Sequence, residues 1–117
     1  WQAWFNSASI EGMKGNFETA KNIFFKVSTF EPNRAEVWVN LAHSYRGLGK
    51  NEAAIHSYEQ ALSINPYLPK IYLELLQICI QLGKQEKAEM VLNKVITIYP
   101  KDRMKILSLF SKLQQSF

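Results

Sequence analysis

Cysteine is almost missing from this chain, and its scarcity excludes a disulfide scaffold. A lone Cys79 has no intrachain partner and leaves the redox compartment open. Histidine is nearly as scarce: only His43 and His56 are present, with no further ligands at suitable spacing, so neither a metal nor another cofactor is expected. No Ser-His-Asp or Cys-His grouping stands out. The stretch Gly47 to Lys50 lacks the preceding strand and the spacing of a phosphate loop, so no enzymatic activity is expected. Unbroken apolar runs last only a few residues, far short of the roughly 18 to 20 that cross a bilayer, and no membrane span is expected. No charged-then-apolar leader opens the chain. It begins at Trp1 rather than Met, from which a processed or excised piece is expected.

What is present is apolar material, 47% of 117 residues with 13% aromatic, enough for one continuous core in a single domain spanning 1–117. The net charge of +4 is unevenly placed. Residues 1–83 carry seven basic and seven acidic groups, whereas 84–117 carry seven basic against three acidic. Lys101, Arg103, Lys105 and Lys112 cluster near the C-terminus, a pattern read first as a solvated helical face.

Ala35 to Leu68 organises the rest: two amphipathic helical patterns joined by a Gly-containing turn and followed by Pro66. A shift of 34 residues superimposes the chain on itself. Trp4, Trp38 and Tyr72 align, as do Ala8, Ala42 and Leu76, then Gly15, Gly49 and Gly83. Ala20, Ala54 and Ala88 follow, then Phe24, Tyr58 and Leu92, then Val27, Ala61 and Val95, and last Pro32, Pro66 and Pro100. Such a period means stacked helical hairpins.

Trp38, Leu41, Ala42 and Tyr45, followed by Ala54, Tyr58 and Pro66, resemble the signature of the tetratricopeptide repeat. The resemblance covers Trp1 to Asp102. It implies an all-α, right-handed α-solenoid of three helix-turn-helix repeats, 1–34, 35–68 and 69–102, with a seventh, capping helix at 103–117.

Local signals place the helices. Gly15 ends the first helix and Asn16 is able to cap the second. Asn33 and Glu36 have capping-box spacing, and helices are expected at about 34–47, 51–65 and 69–82. Glu18, Glu52 and Glu86 align in the first turns of the second helices, where a carboxylate meets the positive end of the helix dipole. Ser7 and Glu11 break the pattern, standing where Leu41/Leu75 and Tyr45/Cys79 stand later, so the first helix is expected to be either partly exposed as the N-terminal end or modified against a missing neighbour. Leu76 replaces a small residue, so the third hairpin is expected to sit slightly wider apart. Ile106, Leu109, Phe110 and Leu113 form the inner face of the cap.

In tetratricopeptide arrays the first helices line the concave side, and that resemblance picks out three ladders: Phe5, Val39 and Leu73; Asn6, Asn40 and Glu74; Ser9, His43 and Gln77. Paired asparagine amides suit an extended peptide. Related domains that hold chaperone C-terminal carboxylates use Lys, Asn and Arg on these helices. Asn40 and Lys70 fit that set, but Phe5, Ser9 and Glu74 do not, so no carboxylate clamp is expected.

The expected function is a non-catalytic interaction module that binds an extended peptide or partner helix in the concave groove, with a protein or peptide partner and no small-molecule substrate. A different class is an excerpt of a longer array, serving as scaffold or recruiting arm of an enzyme or of a secretion or assembly machine. RNA binding has only the basic C-terminal third in its favour, and nucleic acid is the weakest candidate partner. Self-association through Leu107, Phe110 and Phe117 stays open.

Overall fold

The computed structural model describes residues 1–116. Among them are seven α-helices and no strand: α1 (Gln2–Met13), α2 (Phe17–Phe30), α3 (Ala35–Gly47), α4 (Asn51–Ile64), α5 (Pro69–Gln81), α6 (Gln85–Ile98) and α7 (Arg103–Ser116), with a 3-10 turn at Pro100–Asp102 before α7. The chain divides into two compact units, Trp1–Pro66 with α1 to α4 and Tyr67–Phe117 with α5 to α7.

Within each unit the aligned positions form the core. Ala20, Ala54, Ala88, Ala8 and Ala42 are fully buried, and only Ala-sized side chains let two helix backbones come this close. The aromatic and branched row of Phe24, Tyr58 and Leu92 is buried too, as are Val27, Ala61 and Val95. In the first unit Ala8, Ala20, Phe24 and Leu41 make one cluster, against which Phe5, Ile23, Trp38 and Tyr45 pack. In the second unit Leu76 fills the place of Ala42 in the repeat register. Cys79 is fully buried, a small hydrophobe in the α5 core.

All three first helices end the same way. Gly15, Gly49 and Gly83 have φ of 84, 75 and 72°, the left-handed conformation that a Cβ disfavours. The next amide reaches back to close the turn: Asn16 N to Glu11 O at 2.9 Å, Lys50 N to Tyr45 O at 2.9 Å and Lys84 N to Cys79 O at 2.8 Å. The glycine amides bond to Gly12, Arg46 and Ile80 carbonyls at 3.0 Å each, which completes a Schellman motif. This geometry explains Glu11. The motif brings residue 11 beside residue 16, and the Asn16 side-chain amide donates to the Glu11 carboxylate at 2.8 Å. The carboxylate is thus satisfied at the rim of the core.

The same bond corrects an expectation. Asn16 does occupy the N-cap of α2, but its side chain makes no capping bond because it is turned to Glu11. The expected capping box at Asn33 and Glu36 is also absent. Arg34 is the N-cap, one residue late, extended at φ −104° and ψ 107°, and no side chain caps the helix. Three contacts hold that turn instead. The Trp38 indole N–H donates to the Pro32 carbonyl at 2.9 Å, Arg34 Nε donates to Glu31 at 3.3 Å, and the Arg34 guanidinium lies 4.4 Å from the centre of the Trp1 ring.

Trp4 differs from its aligned partners. Trp38 is half-buried and Tyr72 only 1% exposed, whereas Trp4 is 45% exposed, tilted against Phe30 at 5.9 Å with the Lys26 ammonium 5.5 Å from its ring. Ser7 beside it is exposed. The face of α1 carrying Trp4 and Ser7 is therefore the open end of the first unit, as Ser7 and Glu11 imply. Glu18, Glu52 and Glu86 all fall in helix first turns. The Glu18 carboxyl sits below the usual carboxylate range, chiefly because Lys21 hydrogen-bonds to it at 2.6 Å. Of the residues named for self-association, Leu107 and Phe110 are half-buried in α7, and Phe117 lies outside the described residues.

Candidate functional site

In the first unit, α1 and α3 face each other across an open recess of about 350 Å³. Ser9, Asn40 and His43 line it together with Ser44. Apolar surface from Met13, Phe17 and Phe24 and the bare backbone of Gly12 complete the wall. The three expected polar residues come together because residues 40 and 43 are one turn apart on α3, off the buried Leu41/Ala42 stripe, while Ser9 follows buried Ala8 on α1.

Local bonds fix the polar atoms. Asn40 Nδ2 donates to the Glu36 carbonyl at 2.8 Å, Ser44 Oγ to the Asn40 carbonyl at 3.1 Å, and Ser9 Oγ to the Phe5 carbonyl at 3.0 Å. His43 is exposed, with its ring edge-on to buried Tyr58 at 5.8 Å. The recess is therefore a short, pre-ordered strip of amide, hydroxyl and imidazole above an apolar floor. Such a surface holds an extended backbone by hydrogen bonds and one side chain by burial.

Other residues of the ladders sit elsewhere. Phe5 is half-buried and packs edge-to-face on Phe24 at 5.5 Å and Trp1 at 6.0 Å, so part of its ring is turned to the core. Asn6 is exposed and Val39 half-buried, and neither lines the recess. On α5, Lys70 is exposed and Leu73, Glu74 and Gln77 are half-buried. Leu73 lines a separate recess of about 200 Å³ within the second unit, walled by α5, α7 and the end of α6. Burial pushes the phenol of Tyr72 in that wall above its usual range, and Tyr99 adds to the shift. Ser44, Met13 and Phe17 escape a reading by ladders, because they stand on the core stripe or at helix ends. A deeper signal for Ser44 was its position four residues after Asn40, on the same face.

Among the described residues no three His, Cys, Asp or Glu side chains group to hold a metal ion, and no helix is long and apolar enough to cross a membrane.

Paired helices, a left-handed glycine after each first helix and a period of 34 define a helical-repeat protein. Residues 35–68 and 69–102 each match the tetratricopeptide repeat, together more than half of the chain, and the chain belongs to that family. Comparison with curated proteins finds no match. Solved structures share the fold at low identity. The type III secretion translocator chaperone SycD of Yersinia enterocolitica, in complex with a peptide of the translocator YopD, is 16% identical with a TM-score of 0.80, covering 98% of this chain and 92% of that one. PcrH in complex with the chaperone-binding region of PopD is 15% identical with a TM-score of 0.79, over 98% and 88%. MamA of Desulfovibrio magneticus RS-1 is 17% identical with a TM-score of 0.77, over 86% of this chain and 56% of MamA.

Proposed function

We propose that this chain is a non-catalytic interaction module that binds an extended peptide segment of a partner protein, with the α1/α3 recess as the principal contact. The observation that carries the reading is the joint placement of Ser9, Asn40 and His43 over the apolar wall of Phe24 and Met13. An extended peptide there presents alternate side chains, one to the apolar wall and the next to solvent, while its amides meet the polar strip. The similarity to SycD bound to a peptide of YopD, and to PcrH bound to the chaperone-binding region of PopD, supports a peptide as the ligand class. Residues 1–34, 35–68 and 69–102 are proposed as three repeats of one domain closed by 103–117. Lys70, Leu73, Glu74 and Gln77 are proposed as the ligand-facing set of the second unit, with Glu74 favouring a basic side chain and disfavouring a carboxylate. Phe5, Asn6 and Val39 are proposed as a secondary set in the first.

The test is a titration of the full, isotopically labelled chain with a pooled library of capped extended pentapeptides, read by amide NMR. Shifts are expected at residues 9–13, 40–44 and Phe24. Asn40→Ala should weaken the best binder about fivefold to tenfold, the worth of one lost hydrogen bond, with an unchanged unfolding midpoint. Shifts confined to the outward faces of α2, α4 and α6 would refute the assignment.

A further inference from the structure

The 34-residue register makes α7 a fourth first-helix, and two of its departures from α3 and α5 fall at one recess. Ile106 stands where Trp4, Trp38 and Tyr72 stand, and Lys105 stands where buried Val37 and Ile71 stand. An aromatic ring and a buried aliphatic are thus replaced by a smaller aliphatic and an exposed cation. Both line the 200 Å³ recess in the second unit, where Leu73, Leu76, Val95, Ile106 and Leu109 present apolar surface. Asp102 and Lys105, both exposed, are the two charged residues that line it. Asp102 makes no side-chain hydrogen bond among the described residues, and its backbone amide is held by the Tyr99 carbonyl at 3.1 Å, which keeps the residue in the 3-10 turn.

We infer that this recess is an anchor pocket for a single aromatic side chain of a partner peptide, a tyrosine or tryptophan whose ring donor reaches the Asp102 carboxylate. Size selects one aromatic side chain: apolar cavities of about 150 Å³ accept benzene-sized guests, and drug-sized ligands need roughly 300 Å³ or more. Register selects an aromatic. The second repeat fills the corresponding place with Trp38, whose ring N–H is itself satisfied by a carbonyl, and α7 has no ring of its own there. The carboxylate selects a ring that carries a donor over phenylalanine. The pocket lies wholly within the second unit and does not use Asn40 or His43. It rests on the reading of the chain as a peptide binder only for the source of the ring.

The experiment uses the full chain with p-cresol, toluene and a capped pentapeptide holding one tyrosine among glycines, followed by amide NMR. p-Cresol is expected to bind saturably at about 1 mM, the reach of a ligand of this size, with shifts confined to residues 69–76, 95–99 and 102–109. It should bind about fivefold tighter than toluene, and Asp102→Ala, a surface change, should abolish that preference. Ile106→Tyr, which restores the repeat's ring, should raise the unfolding midpoint and remove binding. If that variant does not fold, the Asp102→Ala result decides alone. The pentapeptide should give the same shift map as p-cresol. No saturable shift with p-cresol, or equal binding of p-cresol and toluene in the parent chain, overturns the pocket. Binding of p-cresol without the pentapeptide overturns the peptide source and leaves the first-unit recess untouched.

Discussion

Gly47 and Gly49 lie two residues apart in the same turn and should fail for different reasons when changed to alanine. Gly49 has φ 75° with open space where a Cβ would stand, so Gly49→Ala meets only backbone strain, about 1 kcal/mol. Gly47 is the last residue of α3 and has ordinary helical geometry, but a Cβ there would lie 2.5 Å from Cγ and 2.6 Å from Cδ1 and Cδ2 of Phe17. Because Cγ lies on the axis about which the ring turns, flipping the ring relieves nothing. The Phe17 side chain must swing at χ1, or α2 must move away from α3. Overpacking of this kind costs about 1 to 3 kcal/mol, against a helix-propensity gain of at most about 1 kcal/mol at a terminal position. Gly47→Ala should therefore destabilise by about 1 to 2 kcal/mol. In a Phe17→Ala background the obstruction is gone, and the same change should become neutral or slightly stabilising. The two sites thus couple by at least about 1 kcal/mol. Urea unfolding of the four variants, followed by circular dichroism, measures the cycle, with Gly49→Ala as the control whose cost does not depend on residue 17. A Gly47→Ala penalty of the same size in both backgrounds, or a gain in the parent, would refute the claim that Phe17 sits against bare backbone.

Trp38→Phe keeps an aromatic ring but loses part of the indole's packing and its bond to the Pro32 carbonyl, and should cost at least about 1 kcal/mol by urea unfolding. Trp38→Ala also empties packing against the first-unit cluster and should cost about 3 to 5 kcal/mol. Phe24→Ala, at 2% exposure and in edge contact with Phe5, should cost a similar amount and also weaken peptide binding, since its ring forms part of the recess wall. Carbon NMR titration should find Glu18 below the ordinary carboxylate value, and Lys21→Met should return it toward that value. Because the folded value is the depressed one, the contribution of this pair to stability is present above the unfolded-state value. It is lost as pH falls through the folded-state value.

The fold was legible because its signal is a steric one. Where two helices cross closely, only alanine fits, and where a helix must stop against its own hairpin partner, only glycine takes the required φ without strain. Ala20, Ala54 and Ala88, all fully buried, and Gly15, Gly49 and Gly83, all left-handed, carry the repeat for that reason. Capping was not legible in the same way, because a polar side chain at a helix start has several partners within reach. Asn16 has an amide proton to give and finds Glu11, a neighbour that exists only once the Schellman turn has closed. At α3 the Trp38 indole, Glu31 and the Trp1 ring together hold Arg34 extended, and the helix starts one residue beyond the box that Asn33 and Glu36 spell out. Both outcomes depend on residues that meet through the turn or the core rather than through the three-residue spacing that defines a box.

The recess follows the same division. A register argument finds side chains that stand one turn off a buried stripe, which is why Ser9, Asn40 and His43 meet in one place. It treats every such side chain as equally available, and Phe5 shows how packing changes that. An aromatic ring beside a core that already contains Phe24 gains more by edge-on packing than by facing water, so it turns inward. Cavities are harder still, since they are set by what a position lacks. Nothing at Ile106 announces a site until it is compared with Trp38 and Tyr72 and the absent ring is seen as unfilled volume beside Asp102. In a repeat protein that comparison is open at every position, because the chain supplies its own reference for what each place ordinarily holds. The departures of α1 and α7 from the 34-residue register, Ser7 and Glu11 at one and Lys105 and Ile106 at the other, are accordingly where this chain's individual surfaces should be sought.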